Sequence, residues 1–207
     1  MTRTTHRRLA KPDFSQIDSL DERRVLQIRF LSMHLTKSCL AATLVLLSAT
    51  ACNRKPVYDW HTLAAPDETF SVSLPGNAVV VDTPTNSVAG GSFISHSFKM
   101  RASKDAVYGC SWWEDPSRPK DQTADRTLDI ARDGGLSGTN ANLISENRLT
   151  FQGHPARDIR GTARGNAAYD NRIVVVGNRL YTLLVIDASG RHDTESIERF
   201  FNSLQFH

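Results

Sequence analysis

The sequence predicts a single α+β domain, an antiparallel sheet of about six or seven strands with helices packed on it, behind an export leader. Three observations predict the fold. Segments in which apolar and polar residues alternate recur from Phe70 onward, the period-two mark of half-buried strands. Four strand-like segments between Leu143 and Ile186 are joined by turns short enough only for antiparallel neighbours. Ile197, Phe200, Phe201 and Leu204 then fall at i, i+3, i+4 and i+7, the spacing of one helix face.

The elements follow in order. Phe70, Val72 and Leu74 alternate with Ser71 and Ser73, and Pro75-Gly76 ends that strand. Over residues 92–100, Ile94, His96, Phe98 and Met100 share one face, with Ser95, Ser97 and Lys99 on the other. Ala106–Trp113 makes the next strand, closed by Asp115-Pro116. Thr123 suits the N-cap of a helix whose inner face carries Ala124, Leu128 and Ala131, with Gly134-Gly135 as its stop. Strands Leu143–Phe151, Pro155–Thr162, Ala167–Val176 and Leu180–Ile186 are linked by Gln152-Gly153, Arg164-Gly165-Asn166 and Gly177-Asn178. Gly and Asn tolerate positive φ, so Gly177-Asn178 is the strongest hairpin signal. Leu180–Ile186 is apolar on both parities, which predicts a central strand covered on both sides. The last helix starts near Asp193, with Asp193 or Thr194 as its cap. The folded domain is expected over residues 61–207, long enough for a self-sufficient core.

The chain has 207 residues with 25 Lys+Arg against 22 Asp+Glu, for a formal net charge of +3. Hydrophobic residues make up 40% and charged residues 23%, which excludes a wholly disordered or polytopic membrane chain. The charge is unevenly placed: residues 1–52 carry a balance of +4 and the remaining residues −1. The folded part therefore offers no electrostatic case for nucleic acid or for an anionic membrane surface.

The uncharged stretch Cys39–Ala51 is too short for the roughly 20 residues of a membrane span, and fits the apolar core of a secretory signal. Lys37 flanks it, and Ala49, Thr50 and Ala51 lead to Cys52. This order resembles the lipobox of a bacterial lipoprotein. The resemblance implies cleavage after Ala51, a diacylglyceryl group on the Cys52 thiol and an acylated amine, such as a palmitate amide. Ala49 departs from the large aliphatic residue preferred there. The alternatives are an ordinary signal peptide with a free Cys52 and a buried core segment, and Arg23-Arg24 offers a poor twin-arginine match. Residues 1–32 are long for a signal n-region and carry four acids, Asp13, Asp18, Asp21 and Glu22, where such regions are acid-poor, so Met33 is the expected start, making 1–51 leader and 52–60 the lipidated Cys and linker. Asn53, rather than Asp, after Cys52 points to the outer membrane in a Gram-negative envelope, facing the periplasm. After processing, Cys110 has no partner for a disulfide.

Five segments carry a second resemblance: Phe70-Ser71-Val72-Ser73-Leu74-Pro75-Gly76, Leu128-Asp129-Ile130-Ala131-Arg132, Gly153-His154-Pro155-Ala156-Arg157-Asp158, Gly177-Asn178-Arg179-Leu180-Tyr181, and Phe200-Phe201-Asn202-Ser203-Leu204. In this order they resemble the PsbP-like proteins, in particular small bacterial lipoproteins and secreted proteins of that type. The resemblance covers most of residues 60–206. It implies an accessory, non-catalytic protein that docks on a larger assembly, with no catalytic residue and no cofactor.

No phosphate-binding loop, nucleophile elbow, His-Glu-x-x-His helix or Cys-x-x-Cys pair occurs. Cys110 reads as a small buried hydrophobe sharing a face with Tyr108 and Trp112, rather than as a nucleophile. His96 reads as a hydrogen-bonded core residue, and His61, His154 and His192 lack metal-ligand spacing. Asp121, Asp125, Asp129 and Asp133 recur every four residues and read as a solvated face rather than a cation site. Trp113, opposite Trp112 in a strand, is the candidate partner-binding residue, against burial beneath a helix or the N-terminal segment. The expected function is a lipid-anchored, non-enzymatic binding or assembly module with a protein partner in the envelope. A small-ligand carrier and an envelope hydrolase are the alternatives.

Overall fold

A computed structural model of the chain describes residues 57–87 and 90–207. Met33, the Ala51–Cys52 junction and the first part of the linker lie outside the described residues.

The described chain forms ten strands and two α-helices. β1 (His61–Ala64), β2 (Phe70–Leu74), β3 (Val79–Asn86), β4 (Ser92–Arg101) and β5 (Ala106–Glu114) precede α1 (Ala124–Gly138). β6 (Asn142–Phe151), β7 (His154–Ala163), β8 (Ala167–Val176) and β9 (Arg179–Asp187) follow, then α2 (Thr194–Asn202) and β10 (Gln205–Phe206). The main sheet has seven strands in the order β3-β4-β5-β9-β8-β7-β6, every neighbouring pair antiparallel. The chain lays down β3 to β5, crosses through α1 to the far edge, and returns by the meander β6 to β9. That return places β9 in the centre, as its two apolar parities predict.

A second sheet, β1-β2-β10, was not foreseen as a separate layer. Phe70, Val72 and Leu74 are fully buried, and they face the main sheet rather than extending it. The strand that completes the main sheet is β3, whose Val79-Val80-Val81 run lacks alternation. It is an edge strand carrying Pro84, exposed along most of its length, so no buried parity marks it.

The two faces of the main sheet carry separate cores. On one, Trp112, Tyr181 and Leu183 pack with Phe70, Val72 and Leu74 of the small sheet and Phe200 of α2. On the other, Leu128 of α1 packs on Ile159, Tyr169, Ile173 and Leu180. Thr123 caps α1, its hydroxyl accepting from the Arg126 amide at 3.2 Å. The helix does not stop at Gly134-Gly135 but runs on to Gly138, because Gly135 faces the sheet: a Cβ there would stand 2.8 Å from the Tyr169 hydroxyl. Asp193 holds the N-cap position of α2, yet its carboxylate accepts from the Ser196 hydroxyl at 2.8 Å rather than from a backbone amide.

Register fixes two ends. Ala106, Asp187 and Ala168 are paired in one row, and Glu114, Arg179 and Val176 in another. The chain emerges at the first end, where Tyr58 packs edge-on to Tyr108 at 6.1 Å. The opposite end gathers the loop after β5 and the two-residue β8–β9 turn, with Gly177 at φ 56°.

Candidate functional site

The end of the sheet remote from Tyr58 carries the one constellation of charged and aromatic groups that resembles a recognition surface among the described residues. It is built where β5 finishes and β9 begins. Arg179 opens β9 and lies opposite Glu114, the last residue of β5. Its guanidinium reaches Glu114 at 3.0 Å, Asp67 at 2.6 Å and the Thr69 hydroxyl at 2.8 Å. Arg179 thus ties the β1–β2 turn to the centre of the main sheet. Burial pushes the Asp67 carboxyl up, but hydrogen bonds from Thr69 and Arg179 outweigh it and hold the group below the ordinary carboxylate range.

Alternation places the two indoles. Trp112 is 4% exposed, with Phe70 and Phe98 each at 5.0 Å between ring centroids. His96 on β4 stacks on the outer part of Trp112 at 5.5 Å and 26°, and its Nδ1 is 2.8 Å from Asp82 on β3. His96 is therefore hydrogen-bonded, but at a half-exposed rim rather than in the core. Ile94, expected on the same inward face, is 45% exposed because the small sheet does not extend over the edge of β4. Trp113 is half-buried on the opposite side, stacked parallel to Phe93 at 6.2 Å and packed at the margin of the α1 core. It is neither fully exposed nor sealed beneath the helix.

A hollow of about 310 Å³ opens to solvent on the Trp112 face, between Asp67, Ile94, His96, Trp112, Glu114 and Arg179, and reaches Trp113 only at its edge. Beside it, a second hollow of about 390 Å³ lies between the loop following β5 and the Gly177-Asn178 turn. Arg118 braces that loop, donating to the Gly177 carbonyl at 3.0 Å and the Asn178 side chain at 2.6 Å. Sequence reasoning named Trp113 as a candidate but not Arg179, Asp67 or the His96–Asp82 pair. Asp67 and Arg179 are far apart in sequence, so no spacing announces them.

The remaining candidates take structural positions. Cys110 is fully buried, and burial pushes its thiol far up, away from the thiolate a nucleophile needs. His61 pairs with Asp59 at 3.1 Å and His192 with Asp170 at 2.6 Å, while His154 meets the Phe206 ring edge-on at 5.4 Å. Among the described residues no three His, Cys, Asp or Glu side chains are grouped to hold a metal ion.

The aspartate stripe of α1 is not simply a solvated face. Asp125 and Asp129 turn onto Arg157 of β7, whose side chain is fully buried. Glu146 of β6 stands 2.8 Å from the same guanidinium and 2.6 Å from Arg132. Arg132 in turn donates to Asp133 at 2.8 Å. The hydrogen bond from Arg157, opposed by burial, holds the Asp129 carboxyl below its usual range. The carboxylates neutralise a cation buried under the helix and fasten α1 to the sheet.

No family model matches this chain. No curated protein matches it either. Among solved structures, the solution structure of cyanobacterial PsbP (CyanoP) from Synechocystis sp. PCC 6803 aligns over 77% of this chain and 99% of that one, with a TM-score of 0.51 at 14% identity. The seven-stranded antiparallel sheet, its small companion sheet and the two packed helices therefore make a PsbP-like α+β fold.

Proposed function

We propose that this chain is a lipid-anchored, non-enzymatic module of the cell envelope. It is held by Cys52 at the outer membrane, faces the periplasm, and binds a protein partner through the end of the sheet around Trp113 and Arg179. The observation that carries the reading is the character of that end. Aromatic and charged groups ring open hollows, and their polar atoms are spent on one another as ion pairs: Arg179 with Asp67 and Glu114, His96 with Asp82. Such groups suit a protein surface, since Trp and Arg are among the residues enriched at binding hot spots. A hydrolase asks for an accessible, activated nucleophile, and Cys110 is fully buried with its thiol pushed far up. A carrier asks for an enclosing cavity, whereas both hollows are open.

The leader ending in Ala51-Cys52 supplies the anchor, and the PsbP-like fold agrees with an accessory role. The test is site-specific photo-crosslinking in intact cells, with the photoreactive residue at Ser95, on the same face of β4 as Phe93, whose ring stacks on Trp113. A discrete adduct that Trp113→Ala reduces about 30-fold, the loss of a hot spot worth about 2 kcal/mol, supports the reading. An adduct yield indifferent to Trp113→Ala and to Arg179→Gln contradicts it.

A further inference from the structure

The hollow on the Trp112 face follows from strand register. Asp82, His96, Trp112 and Tyr181 are paired in one row across β3, β4, β5 and β9, so their side chains share a face. Two residues further along, Pro84 pairs with Ile94 and Glu114 with Arg179 on that same face. The small sheet covers Trp112 and Tyr181 through Phe70 but leaves Ile94 open. The floor of the hollow is therefore Ile94 and the His96 ring stacked on Trp112, and the β1–β2 turn brings Asp67 to its wall.

The charges at this hollow do not cancel. Asp67, Glu114 and Asp82 are its carboxylates, and Arg179 is its cation. The side chains of Glu114 and Asp82 are 51% and 60% exposed, that of Arg179 only 23%. Both oxygens of Asp67 are used: Oδ1 accepts from the Thr69 hydroxyl at 2.8 Å and Oδ2 from Arg179. The other two carboxylates are half spent. Arg179 meets Glu114 through Oε1 alone, from Nε at 3.1 Å and from its third nitrogen at 3.0 Å, and His96 meets Asp82 through Oδ1. Glu114 Oε2 and Asp82 Oδ2 have no partner among the described residues. Even with His96 protonated, three carboxylates exceed two cations, and exposed Glu68, next to Asp67 in the β1–β2 turn, adds a fourth acid. Arg118 and Lys120 line the neighbouring hollow instead, together with Asp115, and Arg118 is spent on Gly177 and Asn178.

We infer that this hollow receives an arginine side chain of the partner protein. The inference rests on reading this end of the sheet as a partner surface, and names the chemistry the partner brings to it. β3 and β5 flank β4, so the two half-spent carboxylates lie on either side of His96. A guanidinium laid on the His96 ring turns its edges toward Glu114 Oε2 and Asp82 Oδ2, and its methylenes meet Ile94. Arginine fits this better than lysine, because its planar fork stacks on a ring while donating along its edges. A cation over an aromatic face gains further from the ring's negative face. A neutral side chain would strip water from the carboxylates and give no donor in return, which costs free energy. Complementary charge of this kind selects the partner and fixes its register.

The probe is the peptide acetyl-Gly-Arg-Gly-amide, compared with the same peptide carrying neutral, isosteric citrulline in place of arginine. Full-length protein in zwitterionic micelles is titrated with each, and NMR follows the Ile94 methyl groups and the Trp112 indole. The arginine peptide should shift these signals saturably, and the citrulline peptide should leave them in place at the same concentration. Glu114→Gln combined with Asp82→Asn should weaken the arginine response about tenfold or more, the worth of a hydrogen bond to a charged group. In intact cells the same double variant should reduce the Ser95 photo-adduct by a similar factor. Equal responses to the two peptides, no response to either, or a wild-type adduct that the double variant leaves unchanged overturns the arginine and leaves the partner surface standing. Absence of any adduct from the wild-type chain overturns both. The peptide comparison uses the wild-type protein, so it decides the matter even where the double variant fails to fold.

Discussion

Adjacent residues of a strand point to opposite faces, and at Trp112 and Trp113 that alternation decides what each indole can do. Trp112→Ala removes a side chain surrounded by Phe70, Phe98 and Tyr181, and should cost about 3–5 kcal/mol in urea melts. Trp113→Ala empties a half-exposed stack and should cost clearly less while weakening partner capture. Equal losses in the two melts would make Trp113 a core residue and remove it from the site. Arg157 sets a second expectation. Arg157→Met takes away the cation that Asp125, Asp129 and Glu146 surround, and should cost about 3–5 kcal/mol, as breaking a buried pair does. A variant as stable as the wild type would show that the carboxylates are well solvated without it. The alternation at Trp112 was legible because period two is a local signal. The role of Arg157 was not, because its partners sit on α1 and β6 and the aspartate spacing alone fits a solvated face equally well.

Helix α1 shows how tertiary contact overrides local preference. Gly134-Gly135 reads as a stop, yet the helix continues because Gly135 allows a close approach to the Tyr169 hydroxyl, which also accepts from Asn171 at 3.0 Å. The two glycines should therefore respond oppositely. Gly134→Ala has open space and should stabilise by about 0.5–1 kcal/mol, the helix-propensity gain. Gly135→Ala has the same propensity gain but drives a methyl group to 2.8 Å from a buried hydroxyl, and should destabilise. Two thermal melts compare them, and a stabilising Gly135→Ala would show that the helix can lift without loss. The four-strand meander and the central place of β9 were legible, since short turns and two-sided apolarity are written in contiguous residues. The small sheet was not. β10 is two residues long and pairs with β2 from the far end of the chain, a contact no local pattern encodes.

At the scale of the whole molecule, carboxylates that hold separate layers together predict acid lability. Asp129 fastens α1 to the main sheet and Asp67 fastens the small sheet to it, and both carboxyls titrate below the ordinary 3.8. A depressed folded value means that the stability is fully present above the unfolded value and is lost as pH falls through the folded one. The urea midpoint should hold down to about pH 5 and then drop below about pH 4. Asp67→Asn combined with Asp129→Asn should flatten that drop, and an unchanged pH profile would remove both ties from the account. The proposed place in the envelope requires the anchor at Cys52. The most direct measurement is the mass of the N-terminal peptide of the protein isolated from its native membrane. The predicted result is a peptide that begins at Cys52 and carries a diacylglyceryl thioether and an acylated amine. An unmodified peptide that spans the intact Ala51–Cys52 bond would contradict it.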